Sequence, residues 1–362
     1  MVADNYRTTT IFVVGGTGAQ GIPVVQGLVH DGRYACVVLT RDPRSARAQE
    51  LARLPKVTLL EGTFTSPDIL RQGLAQCDGA FVNIDGFNSG EKEETFWAMR
   101  IYELAVQQGI KFFVYGNLDF VTKKSGYDPL LKTAHYDGKG RVGEWILHQT
   151  RDNGQRMGAA LFTTGPYIEM TIASGTIMTP QVEDGVVTWR APLGAGAVTH
   201  VALDDCAEYV RWLFDHAPRA NGMDLEVAID HIPYADLAAA FTRVTGHPAQ
   251  FIDTSFDEYW QHGPMAFAAD LPAAYNDPKG PTIRENFTGF WNMWRASGQN
   301  QGVIRRDYAL LDEIHPGRIK SAEQWFRRQE EKHGPGSLWK RVQPEHLKPV
   351  LKLSEDRRKG KL

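Results

Sequence analysis

Apolar residues in the first 165 positions fall into short continuous runs separated by longer amphipathic stretches. Residues 11–14 (Ile-Phe-Val-Val) form such a run, with the length and β-branching of a strand buried on both faces. Runs at 35–39, 57–60, 80–84, 111–115 and 159–162 predict five more strands. Between them, 22–29, 91–108 and 135–150 read as helices. Strands alternating with helices imply βαβ units, and right-handed crossovers place helices on both faces of a parallel sheet. The predicted class is therefore α/β, a Rossmann-type doubly wound parallel sheet over residues 1–165, with elements able to return from later in the chain.

From residue 166 the rhythm breaks. Gly, Thr and Pro rise between 165 and 180, and 185–189 and 194–201 read as short strands or loops. A helix is predicted over 203–216, with Asp204 or Asp205 as its cap, and a loop over 260–285. Phe287, Phe290, Trp291 and Trp294 lie at i, i+3, i+4 and i+7, one aromatic helix face expected to pack against the main body. This predicts a smaller α+β substrate or partner region over 166–315 and a basic helical tail over 316–362.

Composition adds limits. With 362 residues, 42% of them hydrophobic, the chain can bury a substantial core. The net charge of −3 gives no general pull toward nucleic acid. The tail holds 13 Lys/Arg against 6 Asp/Glu, leaving 27 against 37 in the rest. That excess reads as a solvated surface helix with a loose end, suited to an acidic partner. No run approaches the ~20 apolar residues of a membrane span. The polar start, Met1 to Thr10, lacks a secretory apolar region. The expected compartment is the cytoplasm, with the nucleus as alternative. Gly360-Lys361-Leu362 departs from a peroxisomal signal at the Ser position. Cys36, Cys77 and Cys206 have no pairing or metal-ligand spacing, so no disulfide framework and no metal site is expected. Asn286-Phe287-Thr288 fits a glycosylation sequon, incidental in a cytoplasmic chain. The oligomeric expectation is a monomer or homodimer.

The chemistry begins at Gly15-Gly16-Thr17-Gly18-Ala19-Gln20-Gly21, directly after the first strand and opening a helix. In this context a glycine-rich loop cradles a pyrophosphate: Gly15 for the tight turn, Gly18 for close backbone approach, Gly21 for helix packing. Backbone N–H groups and the helix dipole then face the phosphates. The second strand runs into Thr40-Arg41-Asp42-Pro43-Arg44. An acidic residue there would bond a ribose 2′-hydroxyl, whereas Arg41, assisted by Arg44, suits a 2′-phosphate. The cofactor reading is NADP(H), with Asp42 one position later as the opposing feature.

These segments, with Phe113-Val114-Tyr115, the run from Ala134 to Glu144 that includes His135-Tyr136-Asp137-Gly138-Lys139-Gly140, and Gly165-Pro166-Tyr167-Ile168-Glu169, resemble the NmrA-like proteins, an atypical branch of the short-chain dehydrogenase/reductase superfamily. The resemblance covers about residues 9–260. It implies that Thr63 and Phe64 lie near adenine, although Thr63 stands where an Asp is often found. It also implies that Ile84 and Asp85 line the nicotinamide side, that Lys139 reaches the nicotinamide ribose, and that Pro166 and Tyr167 flank the ring.

Typical short-chain reductases place Tyr four residues before Lys, so that the ammonium lowers the phenol pKa and the phenol passes a proton to a carbonyl. Here His135 precedes Lys139 by four, and Gly116-Asn117 stands where a Ser is expected. Two readings stay open. One is an NADP(H)-dependent reductase of a bulky hydrophobic small molecule, with His135 or Tyr136 as acid, Lys139 as anchor and Asn117 as carbonyl donor. The other is a sensor, as the best-known members of the resembled family are: cofactor binding biases a surface for a regulatory protein partner. Direct nucleic-acid binding lacks any supporting motif.

Overall fold

The computed structural model of the protein describes residues 9–153, 156–351 and 362. Seven parallel strands form the main sheet. They are β1 (Thr9–Val14), β2 (Tyr34–Thr40), β3 (Val57–Glu61), β4 (Gly79–Val82), β5 (Phe112–Leu118), β6 (Gly158–Thr164) and, returning from beyond residue 166, β10 (Asp224–Glu226). Their order across the sheet is β10-β6-β5-β4-β1-β2-β3. Alternation in β1 sends Ile11 and Val13 to one apolar layer and Phe12 and Val14 to the other. Helices Gly21–Val29, Ala46–Ala52 and Leu203–Asp215 cover the first face. Helices Pro67–Leu74, Glu91–Gln108 and Ala134–Asn153 cover the second. All six strands expected from the apolar runs are present. Strand β5 runs on to Leu118, because Gly116, Asn117 and Leu118 pair with Phe162, Thr163 and Thr164.

A second body is built from later chain. Strand β8 (Val186–Ala191) pairs antiparallel with β7 (Gln181–Glu183) and parallel with β12 (Ala249–Asp253), and β9 (Val198–His200) pairs with β11 (Asp230–Ile232). Its core is aromatic: Trp189, Phe241, Phe290, Trp291, Trp294, Trp325 and Phe326 are buried together. The face from Phe287 to Trp294 is thus a packing face, on a helix (Ile283–Arg295) started by a Thr282/Glu285 capping box.

Two expectations are corrected. The helix at 203 is preceded by Ala202 with no side-chain cap; Asp204 and Asp205 lie in its first turn, and Asp205 Oδ2 accepts instead from the Ile319 amide. The described part of the tail is not a solvated helix. Helix Ala322–His333 buries Ala322, Trp325, Phe326 and Gln329, an i, i+3, i+4, i+7 stripe that its many charges obscured. Phe326 packs edge-on against Phe241 at 5.4 Å, and Leu338 and Val342 of helix Ser337–Val342 are buried too. The basic run 352–361, with Gly360 and Lys361, lies outside the described residues, as do positions 1–8 of the polar start.

The two bodies share apolar packing through Tyr136 and a buried ion pair. Asp119, just after β5, and Arg306, from the second body, are both fully buried and meet in a two-pronged pair at 3.0 and 2.8 Å. Lys124 adds a third contact to Asp119 at 2.6 Å. Removing one partner of such a pair strands the other charge in low dielectric. Asp119→Ala should therefore lower unfolding free energy by about 3–5 kcal/mol in urea titrations. The double variant Asp119→Leu/Arg306→Met should lose less than the single one.

Candidate functional site

The sheet order reverses between β1 and β4, and the chain leaves both strands there. Crevices at such a switch point are where doubly wound sheets bind ligands. Gly15 has φ +82°, and a Cβ on it would stand 2.2 Å from the Asn83 carbonyl oxygen. A Cβ on Gly21 would strike the Gly15 carbonyl at 2.1 Å, so this glycine lets the helix start fold back on the loop itself. Gly16 supplies the close packing on the sheet: its Cβ would meet Val38 at 2.7 Å. Gly18 donates its amide to the Gly15 carbonyl, Thr17 is buried, and Ala19 is half-buried. No side chain caps the helix start, which leaves a dipole end suited to an anion.

Beyond β2, Thr40 is buried and its hydroxyl bonds within the turn. Asp42 closes a local turn: its carboxylate accepts from the Arg44 amide at 2.9 Å and its carbonyl from the Ser45 hydroxyl. Arg44 projects into solvent and approaches Asp42 only at 4.0 Å. Arg41 is half-buried, and its charge acts on Asp85 across the groove. Thr63 and Phe64 come after β3, beside this turn; Gly62 donates to the Thr40 carbonyl, and Thr63 Oγ1 accepts from the Thr65 amide.

At the other end, β4 runs out into Asn83-Ile84-Asp85. Ile84 is buried, while Asp85 lies at the surface and caps a short helical turn, Gly86–Ser89. Lys139 Nζ reaches four acceptors: Glu94 Oε1 at 2.7 Å, the Ile84 carbonyl at 2.8 Å, Asn83 Oδ1 at 3.0 Å and the Gly116 carbonyl at 3.3 Å. Asn83 Nδ2 in turn donates to Gln20 Oε1 at 2.7 Å. Glu94 is fully buried, and burial raises its carboxyl pKa against the pull of Lys139. Neither Glu94 nor Asn83 was singled out from sequence. Glu94 reads as one of three acidic residues in a helix's first turn, and Asn83 as a strand-end polar residue.

The other expected residues divide. His135 is boxed by Phe87 (4.8 Å between ring centres), Tyr136 (4.9 Å), Phe287 (5.3 Å) and Phe290 (6.2 Å), with Nδ1 bonded to the Asn286 side chain. Burial pushes its pKa down to about 4. Tyr136 points into the aromatic core, and no hydrogen-bond partner reaches its hydroxyl. Asn117 is buried beneath Gly143 and donates to Thr163 Oγ1 at 2.9 Å. Pro166 and Tyr167 are pinned to β9 and Val201: the Pro166 carbonyl accepts from the Val201 amide, and Tyr167 pairs with Val201. Asp137 fastens the helix start by accepting from the Thr122 and Thr133 amides.

Beside His135, residues Gly86, Phe87, Glu91, Ala274, Pro281 and Asn286 enclose a cavity of only about 20 Å³, the room of one water. Segment 273–281 closes over it, with Tyr275 and Asn276 donating to the Phe87 and Asn88 carbonyls. Among the described residues no cluster of metal-ligating side chains occurs, and no helix is long and apolar enough to cross a membrane.

The sequence profile of the NmrA-like family matches residues 7–276. An NmrA-like family domain-containing oxidoreductase of Aspergillus hancockii is 27% identical over 257 residues, covering 67% of this chain and 75% of that protein. Among solved structures, NmrA, a negative transcriptional regulator, in complex with NADP superposes with a TM-score of 0.68 at 17% identity, over 91% of this chain and 98% of that one. The triphenylmethane reductase of Citrobacter sp. with NADP(H) gives 0.63 at 16% identity, over 88% and 99%. At these identities the structural likenesses speak to the fold alone.

The boxed imidazole generates a pH test. His135 and His200, both lowered to about 4 by burial, have unfolded values near ~6.5. Between those values the unfolded chain takes up protons that the folded chain refuses, so stability is complete above pH ~6.5 and falls as pH drops toward 4. His135→Gln should show a smaller loss of urea midpoint between pH 7 and 5 than the unaltered protein. An equal loss would mean that His135 titrates as in water.

Proposed function

The chain belongs to the NmrA-like family, and from that premise we propose that it is an NADP(H)-dependent oxidoreductase acting on a bulky, hydrophobic small molecule. The observation that carries the reading is the buried Lys139–Glu94 pair at the far end of the glycine-loop groove. A buried ion pair adds little to stability over apolar packing, and perturbed charge pairs in clefts gather at functional sites.

The residues present suit a dinucleotide. Gly15 and Gly21 let the loop fold tightly against Asn83 and onto itself, and the uncapped helix start offers its amides to a diphosphate. Arg41 binds the 2′-phosphate, while Asp42, engaged with the Arg44 amide, is withdrawn from competing for a ribose hydroxyl. Thr63 and Phe64 border the adenine, and Ile84, Asp85, Pro166 and Tyr167 border the nicotinamide. When bound, NADPH supplies a hydride. Lys139 holds the nicotinamide ribose and is the cationic proton donor at that end. His135, neutral and enclosed, and Tyr136, directed into the core, shape the wall instead. The Aspergillus hancockii relative, named an oxidoreductase, favours this reading. So does segment 273–281 over the cavity, with Tyr275 exposed in it and Phe267 and Leu271 exposed on the stretch before it. It lies where a hydrophobic substrate would enter once its bonds to Phe87 and Asn88 release.

The sensing alternative has its own support. The cavity beside His135 is nearly filled by side chains, and NmrA, a solved neighbour, is a transcriptional regulator. In that reading cofactor binding changes the surface offered to a regulatory protein.

Two measurements separate these possibilities. Arg41→Ser should weaken NADPH binding about ten- to hundredfold, the worth of about 1.5–3 kcal/mol for hydrogen bonds to a charged group, and leave NADH binding nearly unchanged in fluorescence titrations. The purified protein should oxidise NADPH in the presence of an aromatic carbonyl, quinone or imine from a broad panel, and Lys139→Ala should abolish this. Tight binding without turnover across the panel would leave the sensor as the reading.

A further inference from the structure

We propose that Glu94 is the positioning residue of the nicotinamide end: it keeps Lys139 charged and in place, and Asn83 and Gln20 tie that placement to the phosphate loop. This rests on the reading that a dinucleotide occupies the groove.

An ammonium has three hydrogens to donate, and Lys139 faces four acceptors. Three of them, Asn83 Oδ1 and the Ile84 and Gly116 carbonyls, are neutral; they orient the group without balancing its charge. Glu94 supplies the balance at the shortest distance, 2.7 Å. Among the described residues, no other donor bonds to either oxygen of its carboxylate. Gly86 makes the room: a Cβ on it would stand 2.5 Å from Glu94 Oε2. An apolar residue at 94 would fill the space at less desolvation cost, so the carboxylate answers to the lysine. The other groups around the pair are Asp85, Glu91 and His135, with the Tyr115 ring 5.6 Å from Nζ. Asp85 and Glu91 are carboxyl groups that lie nearer the surface than Glu94.

The link to the phosphate loop is a single side chain. Asn83 accepts from Lys139 with its oxygen and donates to Gln20 with its nitrogen, and Gln20 sits between Ala19 and Gly21 at the helix start. Gly116 admits Asn83 to this position, since a Cβ there would lie 2.8 Å from Asn83 Cβ. A shift of Gln20 on phosphate binding therefore reaches Lys139 through one residue.

The test is the affinity for NADPH, read by fluorescence from pH 6 to pH 9 in the full chain. The unaltered protein should bind with nearly constant affinity. In Glu94→Gln the buried ammonium has no counter-charge and gives up its proton as pH rises, so binding should weaken at least tenfold across the range. Glu94→Asp, which keeps the charge, should remain nearly flat. Glu94→Gln/Lys139→Met should show no such slope, matching Lys139→Met alone. Asn83→Ala, a milder change, should weaken binding severalfold at every pH. A Gln variant as flat as the Asp variant, or a slope that survives Lys139→Met, overturns the proposal and leaves Glu94 as packing. Unaltered protein that binds NADPH without turnover removes the reductase reading alone. Unaltered protein that does not bind NADPH removes both.

Discussion

A parallel sheet covered by helices on both faces has no place for polar chemistry along its strands. Phe12, Val13, Phe81 and Val114 are fully buried, and the polar work is confined to the loops and turns beyond the carboxyl ends of the strands. The reversal of strand order between β1 and β4 opens the crevice at that edge. Gly15 and Asn83 face each other across it at a distance no Cβ on residue 15 would allow. Everything else at the site is arranged around this contact: the loop to Gln20, the turn at Asp85, and the lysine that arrives from helix Ala134–Asn153.

Two buried ion pairs act on different problems. Asp119 and Arg306 have both carboxylate oxygens and several guanidinium hydrogens satisfied, and they join bodies far apart in sequence. That pair is a fastening, and its strength lies in full hydrogen bonding. Glu94 and Lys139 join adjacent helices that already pack on each other. The carboxylate there is incompletely bonded, and its burial raises its proton affinity. A pair left in that state serves the groove above it more than the fold beneath it.

The His-Tyr-Asp-Gly-Lys-Gly run shows how one motif serves several surfaces. Successive helix positions step by about 100°, so His135 and Tyr136 turn to the aromatic body, Asp137 to the Thr122 and Thr133 amides, and Lys139 to the groove. Gly138 clears Glu91, and Gly140 clears the backbone of Phe120. Spacing alone put His135 on the lysine's face. The neighbours that enclose it, Phe87, Phe287 and Phe290, come from elsewhere in the chain.

Local patterns were therefore readable wherever the cause is local. The strands of the first 165 residues, the glycine turn and the aromatic face of the helix at 283–295 all follow from periodicity and backbone freedom. The fit of Gly16 against Val38, the return of β10 to the sheet edge and the docking of Trp325 and Phe326 under a charged helix were not readable, because each depends on a partner distant in sequence. The same holds for Glu94, one acidic residue among three at a helix start until helix Ala134–Asn153 lays Lys139 against it. The sequence by itself determined the sheet, the glycine-rich turn after its first strand and the candidate residues of the groove. Only the tertiary structure decided which of them are buried, charged and in contact, because burial and pairing are properties of surfaces that no single segment contains.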